Sequence, residues 1–219
     1  MSKKNKKHWP TKAVMDQIYD LKLWGGKAQD FFSGVGSHDP KITNPYIKAL
    51  TLFFKSHNNA LIVCDLGCGD FNIGKQLVRY TKKYIAVDIV EKLISRNKKL
   101  FKENNLEFYC LDIAKDKIPK GDCIIIRQVF QHLSNTEILK TLKKITTYKY
   151  VILTEHTPLE IFTPNKDIIS GQGIRLKENS GVNILKPPFS LKIKEKKVLA
   201  QHILNNKKEQ ITTTLYTLF

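Results

Sequence analysis

From residue 60 onward, short apolar runs alternate with amphipathic ones. "NALIVCDLG", "KYIAVDIV", "LEFYCLDI", "DCIIIRQV" and "KYVILTEH" read as buried strands, each short, mostly apolar and bounded by polar or turn-forming positions. Between them, "NIGKQLVRYTK", "VEKLISRNKKLFKEN" and "SNTEILKTLKKI" carry apolar residues at helical spacing, and Ser134 with Glu137 makes a capping box for the last of these. Buried strands alternating with helices require right-handed crossovers, so the pattern predicts an α/β, doubly wound, Rossmann-like domain. The end of the chain, "KKVLAQHILNNKKEQITTTLYTLF", predicts an antiparallel strand pair around an Asn205-Asn206 turn, completing a seven-stranded, mostly parallel sheet.

Ahead of this core the pattern predicts an N-terminal helical extension. "TKAVMDQIYDLKLW" places Val14, Ile18, Leu21 and Trp24 near helical spacing, and "GGKAQDFFSGVGSHDPK" reads as a loop. A second helix is expected at "TNPYIKALTLFFKS", with Thr43 or Asn44 as cap and Pro45 in the first turn. The chain thus divides into a basic tail and helical cap segment (1–59) and a core (60–219), within which 155–190 breaks the strand–helix rhythm with scattered Pro, Gly and Asn.

Composition narrows the classes. A chain of 219 residues with 42% hydrophobic positions can bury one full core, and no apolar run approaches the ~18–20 residues of a membrane span. The start "MSKKNKKHWPTK" has the charge of a signal peptide without the apolar stretch that follows one, so a cytoplasmic protein is expected. Cys64, Cys68, Cys110 and Cys123 form no CxxC pair and have no zinc-spaced histidine, so neither metal nor disulfide is expected. The formal charge of +17 favours an anionic partner: RNA, a nucleotide-linked metabolite or an acidic surface. Lysine is spread among many Ile and Asn residues, and only the first twelve residues, with five lysines and no acid, form a concentrated basic run.

In an open parallel sheet, ligands bind at the carboxyl ends of the strands, where "DLGCGD" falls. Gly67 and Gly69 allow a tight turn and close approach of backbone to ligand. A dinucleotide fingerprint needs a third glycine where Asn72 stands, and Gln76 replaces the hydroxyl residue of a phosphate-binding P-loop. The distinctive residue is Asp65, which would repel a pyrophosphate and welcome a cationic ligand. Asp88 ends the next strand, placed to accept from ribose hydroxyls, and Asp112 ends the third.

Together these residues resemble the class I S-adenosylmethionine-dependent methyltransferases over about residues 60–155. The resemblance implies S-adenosyl-L-methionine as cofactor. Asp65, Gly67 and Gly69 would hold its methionine part, beside Asp70 and Asn72; Asp88 with Ile89 would hold the ribose, and Asp112 with Ile113 the adenine. Arg127 and Gln128 would line the cofactor and acceptor pocket. Outside the core, "LWGGKAQDFFSGVGS", "NKDIISGQGIRL" and "ILKPPFSL" resemble a bacterial subgroup associated with surface polysaccharide biosynthesis. That resemblance implies that Trp24, Ser33, Gly34 and Ser37 fold over the cofactor, with Phe32 standing where an Arg is expected. It also implies that 155–190 serves the acceptor, through Asn165, Asp167, Gln172 and Arg175.

Methyl transfer from a sulfonium needs alignment, exclusion of water and, for a protonated acceptor, a base. His132, Glu155 and His156 follow the fourth and fifth strands at the reacting edge and are the base candidates; His8, His38, His57 and His202 fall outside this cluster. An anionic phosphate or phosphoramidate oxygen would need no base, only a positive pocket supplied by Arg127 or Arg175. The leading expectation is an O-methyltransferase of a small or nucleotide-linked precursor of a capsular or surface glycan. The alternatives are an RNA methyltransferase, suggested by the charge, and a non-catalytic nucleotide-binding protein. No NPPY-type motif supports action on base amino groups, since "RQVF" occupies that place.

Overall fold

The computed structural model describes residues 9–26, 30–204 and 208–219. The elements, in chain order, are α1 (Thr11–Asp20), α2 (Pro40–Ser56), β1 (Ile62–Leu66), α3 (Gly74–Leu77), β2 (Lys83–Asp88), α4 (Glu91–Leu100), β3 (Leu106–Cys110), β4 (Cys123–Arg127), α5 (Asn135–Ile145), β5 (Tyr150–Pro158), β6 (Glu195–Ile203) and β7 (Glu209–Thr217). They form a seven-stranded sheet in the order β3-β2-β1-β4-β5-β7-β6. The first five strands are parallel, and β7 runs antiparallel to both β5 and β6. The Rossmann-like α/β expectation holds, including the antiparallel pair; the Asn205-Asn206 turn lies outside the described residues. Among the described residues no helix is long and apolar enough to cross a membrane.

Alternation along the strands divides the core between two faces. Cys64, Leu66, Ile124 and Ile126 pack with Ile138, Leu142 and Ile145 of α5 on one side. Val63, Tyr84, Ala86 and Ile125 pack with Tyr46, Leu50 and Phe54 of α2 on the other. Winding starts at β1, whose two neighbours are β2 and β4, so a crevice opens where these chains leave the sheet at their carboxyl ends.

Several boundaries shift. The second helix begins at Pro40, capped by Asp39, whose side chain accepts from the Lys41 amide at 2.9 Å, so Pro45 lies inside the helix rather than in its first turn. The helix expected over 72–82 shrinks to the four residues of α3 followed by a 3₁₀ turn, Val78–Tyr80. α5 keeps the expected capping box, with both Ser134 and Glu137 bonds formed. β5 runs on to Pro158 because β7 pairs along its whole length, so the strand ends two residues later than the "KYVILTEH" pattern suggests.

β5 also carries a buried charge problem. Glu155 is 4% exposed and neither carboxylate oxygen has a hydrogen-bond partner. Burial pushes its carboxyl up to about 8, with the nearby Arg175 charge opposing. The folded protein therefore holds a proton that the unfolded chain releases near pH ~4.3, and Glu155 lowers stability as pH rises from there through about 8. Glu155→Gln cannot ionise, so it should remove this part of the pH dependence and make the variant relatively more stable at pH 8 than at pH 5 when compared with wild type. Urea titrations at pH 5 and pH 8 check it; equal slopes in both proteins would exclude Glu155 as the source.

Candidate active site

The chain leaves β1 through a glycine turn fastened to the end of β2. The amides of Gly67 and Cys68 both donate to the Val87 carbonyl, at 2.8 and 2.9 Å. The Gly69 amide reaches Asp88 Oδ2 at 3.0 Å, and Val90 N reaches Oδ1 at 3.0 Å. Burial pushes the Asp88 carboxyl up, and these amide bonds offset part of that cost. Both glycines have positive φ, and neither has room for a side chain: a Cβ on Gly67 would lie 2.3 Å from Val129 Cγ2, and one on Gly69 would lie 2.3 Å from Ser33 Oγ.

Asp65 behaves differently from Asp88 because it lies deeper in the sheet, not because it faces the other way. It pairs with Ala86, two residues short of Asp88, and shares the α2-facing side with Val63. There its carboxylate accepts from Tyr84 Oη at 2.8 Å. Burial pushes it up to about 7, with Tyr84 and the Arg127 charge opposing. It underlies the site and does not line it. Asp70 is likewise taken up within the protein: Oδ2 accepts from the Ser33 amide at 2.9 Å and lies 2.6 Å from His38 Nε2, while Ser33 Oγ accepts from the Asp70 amide at 2.8 Å. Asn72 donates to the Ser37 carbonyl at 2.8 Å. These two residues tie the cover segment to the glycine turn, and His38, a histidine without an expected role, is part of the tie.

The facing wall follows β4. Arg127 is buried, donates to Ser37 Oγ at 3.1 Å and to the Gly36 carbonyl, and lies 4.9 Å from the Tyr46 ring centroid. Its Nε has no partner. Burial lowers its pKa, and Tyr46, Asp65 and Asp70 oppose the change. Next to it, Gln128 adopts φ +55°, a left-handed turn that directs the chain across the crevice. His132 is fixed at both nitrogens. Nδ1 lies 3.1 Å from the Gly171 carbonyl and so carries the proton, which leaves Nε2 to accept from Gln131 Nε2 at 3.2 Å. Gln131 is itself oriented, since its Oε1 accepts from the His156 amide at 3.1 Å. Burial pushes His132 down to about 4, so the ring is neutral at pH 7 and its lone pair is already engaged. Its ring rests 5.1 Å from that of Trp24.

These walls enclose a cavity of about 320 Å³, within the size range of small-molecule sites. Of the expected residues, Trp24, Ser33, Gly34 and Ser37 line its cover, Gly67, Gly69, Asp88 and Ile89 one wall, and Asp112, Ile113, Arg127, Gln128, His132 and Gln172 the remainder. Asp112 bonds the Ala114 amide at 2.9 Å and Lys115 at 2.8 Å and still faces the cavity.

The structure does not bring the other expected residues there. Glu155 is buried and does not line the cavity, and His156 pairs with Glu209 at 3.0 Å. Asn165 bonds the backbone of Asn183 and Pro187, and Asp167 accepts from the Asn135 amide at 2.7 Å. Arg175, 1% exposed, donates to the carbonyls of Phe130, Leu133 and Lys166 and to Asn135 Oδ1. Asp167 and Arg175 fasten the 165–175 loop to the segment after β4, and Asn165 ties it to the stretch near Asn183. Sequence reasoning missed Thr11, Met15 and Tyr19 of α1, together with Gln131 and Glu137. α1 showed an amphipathic pattern but no chemistry, and Glu137 was legible only as a helix cap.

Residues 63–148, from β1 past the end of α5, match the family model described as a methyltransferase domain. No curated protein matches the sequence. Among solved structures, the N-methyltransferase NodS from Bradyrhizobium japonicum WM9 in complex with S-adenosyl-L-homocysteine superposes with a TM-score of 0.65 at 10% identity, over 93% of this chain and 98% of that one. This is a methyltransferase fold. Magnesium protoporphyrin IX methyltransferase (ChlM) from Synechocystis PCC 6803, with bound S-adenosylmethionine, shares it with a TM-score of 0.56 at 17% identity, over 96% of this chain and 99% of that one. The N-terminal domain of EvdMO1, in the presence of S-adenosylhomocysteine and D-fucose, gives 0.58 at 11% identity, over 97% and 98%. Within the methyltransferase fold, the described cavity occupies the crevice between β1 and β4.

The glycine turn makes a direct prediction. Gly67→Ala places Cβ against Val129 at φ +83° and should cost about 1–3 kcal/mol in urea unfolding. Gly173→Ala, where a Cβ would meet nothing within 4 Å, serves as the control and should stay within about 0.5 kcal/mol of wild type. Equal effects would mean that the turn tolerates a side chain.

Proposed function

We propose that the protein is an S-adenosylmethionine-dependent O-methyltransferase, working in the cytoplasm on a small or nucleotide-linked anionic precursor of a capsular or surface glycan. The observation that carries this reading is the lining of the cavity. Its carboxylates are Asp88, Asp112 and Glu137, its one cationic side chain among the described residues is Arg127, and its one histidine has no free lone pair.

The residues fit the adenosyl cofactor. Asp88 keeps acceptor capacity for ribose hydroxyls after its two amide bonds, and Asp112 can accept from an adenine amino group. Leu111, Ile113 and Leu133 supply apolar contact for a base, and the positions of Gly67 and Gly69 leave backbone where a side chain would intrude. When bound, the cofactor supplies an electrophilic methyl group on a sulfonium. The chain's own part is to align the acceptor and shield it from water, a task to which α1, Trp24 and Ser33–Ser37 contribute by lining one side of the cavity. With Glu155 and His156 outside the cavity and the His132 lone pair engaged, none of the three candidate bases is free to take a proton from a neutral hydroxyl. The lining carboxylates Asp88, Asp112 and Glu137 are each held in hydrogen bonds within the protein. An oxygen that is already anionic, such as that of a phosphate or phosphoramidate, needs none, and Arg127 would hold its charge.

A cavity of this size also suits a small acceptor better than a polymer, which weighs against RNA despite the net charge of +17. The sugar-linked assignment is supported by the flanking segments resembling the surface-polysaccharide subgroup, and it accords with the D-fucose in the EvdMO1 crystals. In this reading residues 1–59 form the cap and 60–219 the core, with Gln172 and Ile174 as the part of 155–190 that reaches the acceptor side.

Calorimetry with S-adenosylhomocysteine tests the cofactor part: Asp88→Ala should weaken binding about a hundredfold with the circular dichroism spectrum unchanged. Unaltered affinity would place the ribose elsewhere. For the acceptor part, Arg127→Gln should raise KM for the anionic acceptor and leave both S-adenosylhomocysteine and 5′-methylthioadenosine binding intact, and kcat/KM should be flat from about pH 6 to 9 away from the acceptor's own ionisation. If Arg127→Gln weakened the first ligand and spared the second, Arg127 would hold the cofactor's carboxylate, and the case for an anionic acceptor would fall.

A further inference from the structure

The cavity has two covers that are far apart in sequence. One is α1, which contributes Thr11, Met15 and Tyr19; the other is the loop containing Ser170, Gln172 and Ile174. Both meet at a single carboxylate. Glu137 Oε1 accepts from the Thr11 hydroxyl, and Oε2 accepts from the hydroxyls of Ser134 (2.7 Å) and Ser170. Ser170 Oγ in turn accepts from the Ser134 amide at 2.8 Å. Burial pushes the Glu137 carboxyl up, yet the bonds from Ser170, Thr11 and Ser134 outweigh it and leave the group below its ordinary range.

A capping box at the start of α5 needs only Ser134 and Glu137. The Thr11 and Ser170 bonds are additional, and they come from positions 126 and 33 residues away. The location of this joint also matters. Thr141, one turn further along α5, donates to the Ile113 carbonyl at 3.4 Å, so Glu137 stands on the helix face directed at the Asp112–Ala114 wall. A second link, Gln172 Nε2 to the Leu23 carbonyl at 3.0 Å, joins the same two covers further on.

We infer that Glu137 is a positioning residue: it latches α1 and the 165–175 loop to one point above the Asp112–Ala114 end of the cavity, so that the covers open and close together and set how long the adenosyl ligand stays bound. The inference rests on the cofactor part of the reading above and is independent of the acceptor. Removing either hydroxyl frees one cover directly. It also leaves the carboxylate less firmly oriented toward the other.

The experiment uses Thr11→Val and Ser170→Ala, which leave the Ser134–Glu137 box in place, in the full chain. Stopped-flow displacement should show S-adenosylhomocysteine leaving about fivefold to tenfold faster from each variant, and 5′-methylthioadenosine likewise, with the double variant falling short of the product of the two effects. Hydrogen exchange of the ligand-free protein supplies a readout that no ligand assumption enters. Ser170→Ala should speed exchange in α1, and Thr11→Val should speed it in residues 168–172, at unchanged global stability. Exchange confined to the mutated cover, or dissociation effects that multiply independently, would overturn the latch. Failure of the wild-type protein to bind either ligand would instead overturn the cofactor reading, with the exchange result still deciding the latch.

Discussion

Two backbone amides, those of Gly69 and Val90, converge on the Asp88 carboxylate, and the site depends on that convergence. A buried carboxylate is costly unless its oxygens are engaged, so the end of β2 and the turn after β1 must stay in register. Once the turn is held there, Gly67 rests against Val129, Gly69 against Ser33, and Asn97 closes the other side through its bond to the Gly69 carbonyl at 2.8 Å. The cover segment is then placed by contacts it makes with the turn itself: Ser33 and His38 with Asp70, and Ser37 with Asn72. Cofactor wall and cover are in this sense one construction, and a displacement of either is felt by the other.

The parts of this arrangement that were legible in the sequence are those set by local periodicity. Strand runs, the capping box at Ser134 and the ordered acids at strand ends fix the sheet and its ligand-binding edge before any tertiary contact is known. Asp65 shows the limit of such reading. Its position at a strand end looks equivalent to that of Asp88, but in register it pairs with Ala86, two residues short of Asp88, and at that depth its carboxylate meets the Tyr84 hydroxyl rather than the crevice. Glu155, Asn165 and Arg175 lie outside the cavity lining for a different reason. A polar residue near the reacting edge serves equally well to fasten a loop, and only its partners distinguish the roles. Arg175 spends its donors mainly on carbonyls; Arg127, with similar burial, keeps an unpartnered Nε and faces the cavity. Thr11 and Glu137 were illegible as a pair because their contact spans 126 positions of sequence.

His132 and the net charge illustrate how context reverses a compositional argument. A histidine just past β4 has the right address for a base, yet Gln131 and the Gly171 carbonyl together determine its tautomer and consume its lone pair. In these contacts it gives Trp24 a surface to rest on and anchors the loop through Gly171, whose amide donates back to the His132 carbonyl at 2.9 Å. The charge of +17 likewise describes the surface, while the cavity lining holds three carboxylates against one guanidinium. That internal balance suits a ligand carrying both signs: positive charge and hydroxyls toward the acids, an anion toward Arg127.

The fastening of the covers explains why the irregular segment after β5 contains so many polar residues and yet is ordered. Asn165, Asp167, Ser170 and Arg175 each bond to residues 130–137 or to the loop's own return path near Asn183. The segment therefore behaves as an added layer on the β4–α5 connection, at a site where a freely moving loop would admit water. Ordering this layer costs conformational entropy, which its buried hydrogen bonds offset. The same logic places α1 across the crevice even though it belongs to no layer of the sheet: Met15 and Tyr19 bury their apolar surface against Val90 and Leu93, and in doing so present Thr11 to Glu137. Hydrophobic burial supplies the adhesion, and the hydroxyl at the end of the helix supplies the register.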